Sequence, residues 1–451
     1  MKEKFKSIIL ILLVALSLYL TYQLWYGQMP AEFIAEDILE ESAADKPRVM
    51  EEIITPSRIL SVDDGIYYSY GEGQSGYTLL WAELVEFLKT EKSPLSGEDY
   101  NNEEKSTAKS RIIYNFEPPL PFWEDWIWVP EGISSEVVKI EVIFFPESLE
   151  LIYTGREDEE VEVHLNKDTG SHFRAVYNSL SVDERTPYNS VDDEVLSAMF
   201  DFDITAAKSF YLPKEWAYPE RLSIQVETIN REQILQSFFV DYNLARMIEE
   251  KDGGLIYTDG EKGLRLTGTG FEYSYPRLER GQITSSYADA LLYSSNLISY
   301  HGGWPQGLKL ENIFLIENSR ASYYSVDWQM YYEGRPIYSS IPTRALFNDL
   351  GLIHFTRSLY IPDGILEDEE EAVSPAVVWS EALNAALTAF ENQRTDFIKN
   401  IVLEELCSGY AVVGRQHQSL QGEPVWFVQI NGERFYLTAA ELELLDEEDI
   451  Q

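Results

Sequence analysis

The sequence predicts an α+β protein, with one N-terminal transmembrane helix followed by a three-domain extracytoplasmic region whose C-terminal part is built from two helix-plus-β-hairpin units. Three observations carry this. Ser7–Tyr26 is an uncharged apolar run, about as long as a helix needs to cross the hydrocarbon of a bilayer. Beyond it, stretches of helical and of alternating period interleave along the rest of the 451 residues, which leaves room for three domains of ordinary size. Finally, Trp328, Gly334 and Tyr338 recur as Trp426, Gly432 and Tyr436, each 98 residues later and each set behind a helical stretch.

The anchor comes first in the chain. Residues 1–6 carry Lys2, Lys4 and Lys6, while Glu32, Glu36, Asp37, Glu40 and Glu41 follow the span, so the positive-inside rule places Met1 in the cytoplasm and the bulk of the chain outside. The span reads as a retained single-pass anchor and not as a cleaved signal peptide. It is longer than a usual signal core, ends in the interfacial aromatics Tyr22, Trp25 and Tyr26, and has no Ala-x-Ala site after it. Ser17 and Thr21 lie four apart on one helical face with Leu10, Leu13 and Leu24, and this face is the expected seam against another membrane helix. The competing use of the two hydroxyls is a bond back to their own helix carbonyls.

Composition bounds what the exterior part can bind. A net charge of −42, from 77 acids against 35 basic residues, repels nucleic acid and anionic lipid. Aromatic residues make up 13 % of the chain, which is packing material that a disordered ectodomain lacks. Cys407 is the single cysteine, so no intramolecular disulfide can brace the fold.

Residues 27–52 alternate acids with small apolar side chains and read as a tether. An N-terminal α+β domain is expected over 53–170. It opens with strands Arg58–Val62 and Ile66–Tyr70 around the turn Asp63-Asp64-Gly65, then a helix over Tyr77–Thr90 with Leu80, Leu84, Phe87 and Leu88 on one stripe. Polar Glu91–Ser110 reads as a loop. Strands follow at Arg111–Phe116, Val137–Phe145 and Val161–Leu165, with the aromatic knot of Trp123, Trp126 and Trp128 between the first two. A middle α+β domain is expected over 171–275, with helices near Asp193–Phe200 and Arg231–Phe238, an extended Arg221–Thr228, and a hairpin turning at Asp259-Gly260. The C-terminal domain, 276–451, holds helices near Ser285–Leu297 and Leu383–Asn392. Each precedes aromatic strands joined at Glu333-Gly334 or Asn431-Gly432, and Ser374-Pro375 offers a start for the second helix.

The search for chemistry assigns no catalytic, cofactor-binding or metal residue. Ser106-Thr107-Ala108-Lys109 matches S-x-x-K, yet it lies in the most polar loop and lacks the partner motifs that chemistry requires. Cys407 and His417 are a nucleophile and base in name only, and Cys407 reads as a core residue beside Gly409. Of His164, His172, His301, His354 and His417, none stands in a metal-ligand spacing. Glu162 and His164 share a strand face that an exposed edge explains better than a metal, and Asp201 with Asp203 has no third ligand in view. Gly268-Thr269-Gly270 and Gly302-Gly303 are turns. Two other function classes stay open: an anchored envelope enzyme using an aromatic cleft at Trp123, Trp126 and Trp128, and a peptide-binding module using a C-terminal sheet edge.

The anchor ending L-Y-L-T-Y-Q-L-W-Y, the F-F-V-D-Y-N-L-A-R stretch at Phe238–Arg246, I-Y-T-D-G-E-K-G-L at Ile256–Leu264 and the closing P-V-W-F-V-Q-I-N-G-E-R-F-Y-L at Pro424–Leu437 together resemble the YycH (WalH) family, nearly end to end. That resemblance implies a non-enzymatic, single-pass regulator in the cell membrane of a low-GC Gram-positive bacterium. It would modulate, by restraint, the sensor histidine kinase YycG (WalK) of the YycG–YycF (WalK–WalR) two-component system that controls cell-wall metabolism. It further implies action with a sister protein, YycI, whose ectodomain is similar to the C-terminal part, through contacts between membrane helices.

Overall fold

A computed structural model of the chain describes Leu13, residues 50–90 save 72–73, residues 110–120, and residues 130–450 apart from short stretches that include 181–184, 201–203, 215–221, 367–377 and 394–399. The apolar span 7–26 lies outside the described residues except for Leu13, which is helical and 56 % exposed. Among the described residues no helix is long and apolar enough to cross a membrane. Residues 27–49 of the tether, the Ser106–Lys109 motif, the aromatic knot at Trp123, Trp126 and Trp128, Asp201, Asp203, Ser374-Pro375 and His417 also lie outside them, while the last three tether residues, Met50, Glu51 and Glu52, belong to a helical turn.

The fold mixes helix and sheet, with more strand than helix, in two sheets. A helical turn, Met50–Ile53 (α1), leads into the hairpin Arg58–Asp63 (β1) and Ile66–Tyr70 (β2), then the helix Ser75–Thr90 (α2). Strands Ser110–Leu120 (β3), Val137–Phe144 (β4), Ser148–Gly155 (β5) and Glu160–Asn166 (β6) follow, and then the helix Lys167–Ser179 (α3). With Thr186–Val191 (β7) and Phe210–Pro213 (β9) these strands build an eight-stranded antiparallel sheet in the order β6-β5-β4-β3-β1-β2-β7-β9. The stripe foreseen on α2 faces this sheet: Leu80, Leu84, Phe87 and Leu88 are buried against Ile112, Tyr114, Val142 and, from α3, Phe173. Burying four such side chains contributes about 1.5–3 kcal/mol each, so removing the stripe would detach the helix.

Between β7 and β9 the chain leaves this sheet. The short helix Asp193–Met199 (α4) is capped by Asp192, whose carboxylate accepts from the Val195 amide, and Ile204–Ala206 (β8) then pairs in parallel with the first residues of Ile401–Gln416 (β21) in the other sheet. The described residues of 171–275 thus contribute strands to both sheets.

The second sheet has sixteen strands among the described residues. Leu222–Thr228 (β10) and the helix Arg231–Phe238 (α5) precede a meander of Arg246–Glu249 (β11), Leu255–Thr258 (β12), Gly263–Leu266 (β13) and Gly270–Ser274 (β14). The helix Tyr287–Tyr300 (α6) opens with a capping box between Ser286 and Asp289. It is followed by Leu308–Glu317 (β15), Ser322–Tyr332 (β16), Arg335–Tyr338 (β17), Thr343–Asn348 (β18), Gly351–Ser358 (β19) and Tyr360–Leu366 (β20). The helix Trp379–Asn392 (α7) then leads to β21, Ser419–Ile430 (β22), Glu433–Thr438 (β23) and Leu444–Leu445 (β24). The residue capping α7 is Val378, which makes no side-chain cap bond, so this helix starts four residues beyond the Ser374-Pro375 signal.

Two passages of this sheet repeat one plan. In each, a helix is followed by two long antiparallel strands and a tight turn into a short third strand: α6, β15, β16, β17 and α7, β21, β22, β23. Trp328 and Trp426 are both buried, and the Trp328 indole donates to Ser294 Oγ on α6 at 2.8 Å. Asn431 and Gly432 adopt left-handed φ of 49° and 83°, the geometry of a two-residue turn that matches strand twist. The copies meet where β17 runs parallel to β21, and the rings of Tyr338 and Tyr436 lie 5.1 Å apart.

From β19 the ladder of the second sheet passes through β18, β16, β17, β21, β22 and β10 to β20, and this circuit is closed by the backbone at Leu359, between β19 and β20, and not by a pair of strands. Leu222, Val226, Ile337, Tyr360, Tyr410 and Val412 fill the interior of this circuit.

Candidate functional site

One cluster of ionisable side chains stands where the two sheets meet. Lys208 lies in the three-residue link between β8 of the second sheet and β9 of the first, which is why a residue with no local signal stands at the junction. Its ammonium donates to Glu117 on β3 at 2.7 Å and to Glu405 on β21 at 2.6 Å. Burial works against the charge on Lys208, but the two carboxylates outweigh it and raise its pKa, so it stays protonated. Burial also pushes both carboxyls upward. Lys208 nevertheless brings Glu117 below the ordinary value, while Glu405, which also feels Glu117, stays above it. The Glu117 side chain keeps 51 % of its exposure, so solvent screening holds its pair to about 1 kcal/mol or less.

Around this bridge the contacts are positional. Arg58 donates to the Tyr211 carbonyl and lies 5.4 Å from the Tyr188 ring, tying β1 to β9 and β7. Lys309 on β15 sits between the Tyr77 ring of α2, at 5.7 Å, and the Tyr331 ring of β16, at 5.2 Å. Beside them runs a crevice of about 450 Å³, open solvent included, lined by Thr55, Ser57, Glu117, Pro118, Lys309 and Tyr331. Cys407 is half-buried on β21, its sulfur 3.4 Å from the Tyr338 hydroxyl. Burial, then Glu405, pushes the thiol up to about 12, so at neutral pH it is not a thiolate and not a nucleophile.

The described histidines make structural contacts. His301 follows the last turn of α6, stacked at 4.1 Å on Phe238 with Nδ1 2.8 Å from Ser237 Oγ. Burial, helped by Arg357, lowers its pKa to about 3 and keeps the ring neutral. Arg357 is itself 2 % exposed, and it spends its guanidinium on the carbonyls of Ile298, His301 and Gly303 at 2.6–3.1 Å, closing the open end of α6. His354 is lowered by burial, and surface His172 is raised by its hydrogen bond with Glu83.

Glu162 and His164 do share a face of β6, which is an edge strand, and directly opposite His164 on β5 stands Glu150, which the sequence reading missed. The three could offer donors to a cation. His164 turns Nδ1 toward Glu150 at 3.5 Å and Nε2 toward Glu162 at 3.9 Å. The imidazole thus faces a different carboxylate at each nitrogen, and one donor atom from each of the three residues lies within 4.8 Å of the others.

Of the expected seam residues, Leu10, Ser17, Thr21 and Leu24 lie outside the described residues, and Leu13 alone is described. The junction residues Glu117, Lys208 and Glu405 were not foreseen from sequence.

Comparison with known proteins decides the family. The model of the YycH protein N-terminal domain matches residues 3–184, and that of the C-terminal domain matches residues 207–441. The chain belongs to the YycH family. The crystal structure of YycH from Bacillus subtilis is similar in fold, with a TM-score of 0.56 and 16 % identity over 87 % of this chain and 98 % of that one. A slighter likeness, with a TM-score of 0.35 and 12 % identity over 54 % of this chain and 91 % of the other, links it to an uncharacterized Eubacterium rectale protein and carries no argument. No curated protein sequence matches the chain. Membership in the YycH family makes this chain a YycH-type regulator, associated with a two-component system and its kinase.

Proposed function

We propose that the chain is a membrane-anchored, non-enzymatic regulator that restrains the YycG (WalK) sensor kinase together with a YycI-like single-pass protein, through contacts between membrane helices. The match to both YycH domains over most of the chain carries this reading. The apolar Ser7–Tyr26 run and its flanking charges supply the single span and its orientation, with Leu10, Leu13, Ser17, Thr21 and Leu24 as the seam. A helix at that seam acts by binding one signalling state of the kinase bundle better than the other. Only this difference in affinity moves the equilibrium, about tenfold for each 1.4 kcal/mol.

The test exchanges residues 7–26 for an unrelated span and keeps the exterior part. Loss of kinase restraint, with kinase and sister protein no longer co-purifying, is the expected result. Unchanged restraint would sink the helix-contact mechanism.

A further inference from the structure

Among the described residues the second sheet ends on β11, whose four residues are all exposed. Met247 is 57 % exposed and Ile248 39 %, and the segment just before the strand adds Val240 at 75 % and Leu244 at 81 %. Natural edges are usually blunted by charge, proline or a covering element; β11 has charge at its two ends, Arg246 and Glu249, and between them Met247 and Ile248 leave a short exposed template for another strand. The ladder tells which groups are on offer. The Glu250 amide donates inward to the Gly254 carbonyl at 2.8 Å, so Ile248 and Arg246, two and four residues back, also turn inward to β12. Met247 and Glu249 therefore point their N–H and C=O groups outward.

We propose that β11 is a self-pairing edge, and that its partner is the β11 of a second copy of this chain, antiparallel about a two-fold axis. Outward residues can pair only with outward residues, which leaves three registers. Centred on Ile248, Met247 of each copy exchanges backbone bonds with Glu249 of the other, Ile248 faces itself, and Arg246 faces Glu250 twice. Centred on Met247, Arg246 faces Ile248 and Leu244 faces Glu250, so the charge match is lost. Centred on Glu249, two carboxylates face each other. The Ile248 register alone is complementary in both charge and apolarity, and Glu250, already bonded to Arg265 at 2.6 Å, has a second oxygen for Arg246. Four backbone bonds and a few apolar side chains make a contact smaller than stable dimers use, between copies that each carry −42. The pair is weak, and it is best trapped covalently.

The test uses the full-length chain with Cys407→Ser and a single new cysteine. Ile248 faces its own copy in a non-bonded pair, where Cβ atoms approach within disulfide reach. Under mild oxidation, Ile248→Cys is expected to form a covalent dimer at least tenfold faster than Leu444→Cys, an exposed position elsewhere. Adding Arg246→Glu, which turns attraction to Glu250 into repulsion, should slow the reaction severalfold. Equal rates at 248 and 444, faster trapping by Met247→Cys than by Ile248→Cys, or indifference to Arg246→Glu would each overturn the proposal. Positions 246, 247, 248 and 444 are exposed, Cys407 is half-buried, and circular dichroism of each variant verifies the fold.

Discussion

His301 is the residue at which burial has the clearest measurable consequence. Its folded pKa of about 3 lies below the ordinary histidine value, so the unfolded chain binds the proton more readily. The stability from keeping this ring neutral is complete above about pH 6.5 and is lost as pH falls toward 3, by up to about tenfold in the folding equilibrium per pH unit. His301→Asn should flatten that acid loss, by up to about a hundredfold in the equilibrium between pH 6.5 and 4.5. Urea midpoints at the two pH values measure it, and parallel slopes for both proteins would contradict it. Sequence gave no hint of this, because a histidine after a helix looks the same whether it meets solvent or the ring of Phe238.

At the scale of elements, the close approach of β17 and β21 requires glycine at 409. A Cβ there would lie 2.5 Å from the Pro336 carbonyl oxygen and 3.0 Å from the Tyr338 ring, and the backbone atom cannot swing aside. Gly409→Ala is therefore expected to cost about 1–3 kcal/mol, read as a lower denaturation midpoint. An unchanged midpoint would mean that the two strands have room to part. Elements whose signal is local were legible beforehand. The α2 stripe showed in its period, the turns in Asp64-Gly65 and Asn431-Gly432, and the repeated plan in the recurrence of Trp328 and Trp426. The start of α7 was not, because Ser374-Pro375 has the right chemistry but Val378 holds the place. Nor could the pairing of β8 with β21 be read, since the 3 residues of β8 carry no periodicity and their partners lie almost 200 positions away.

For the molecule as a whole, Lys208 joins the two sheets through one cation and two acids that come from distant parts of the chain. Lys208→Met would leave Glu117 and Glu405 facing each other without it. Amide exchange in β8 and β9 is then expected to rise about three- to tenfold, in keeping with a partly exposed bridge worth about 1 kcal/mol. Hydrogen-exchange mass spectrometry decides this, and unaltered protection there would show that apolar packing alone sets the junction.

The circuit of strands in the second sheet gives that part of the molecule a mechanical character. An open sheet peels from its border one rung at a time, so a modest pull held long enough can undo it. Here the border strand β20 is continued in the chain by β19, which β14 and β18 hold, so it cannot leave β10 without drawing on that backbone at Leu359. The arc with the fewest rungs is the stretch where β17 and β21 share two residue pairs, Ile337 with Tyr410 and Tyr338 with Ala411, and a pull along the circuit meets its least resistance there.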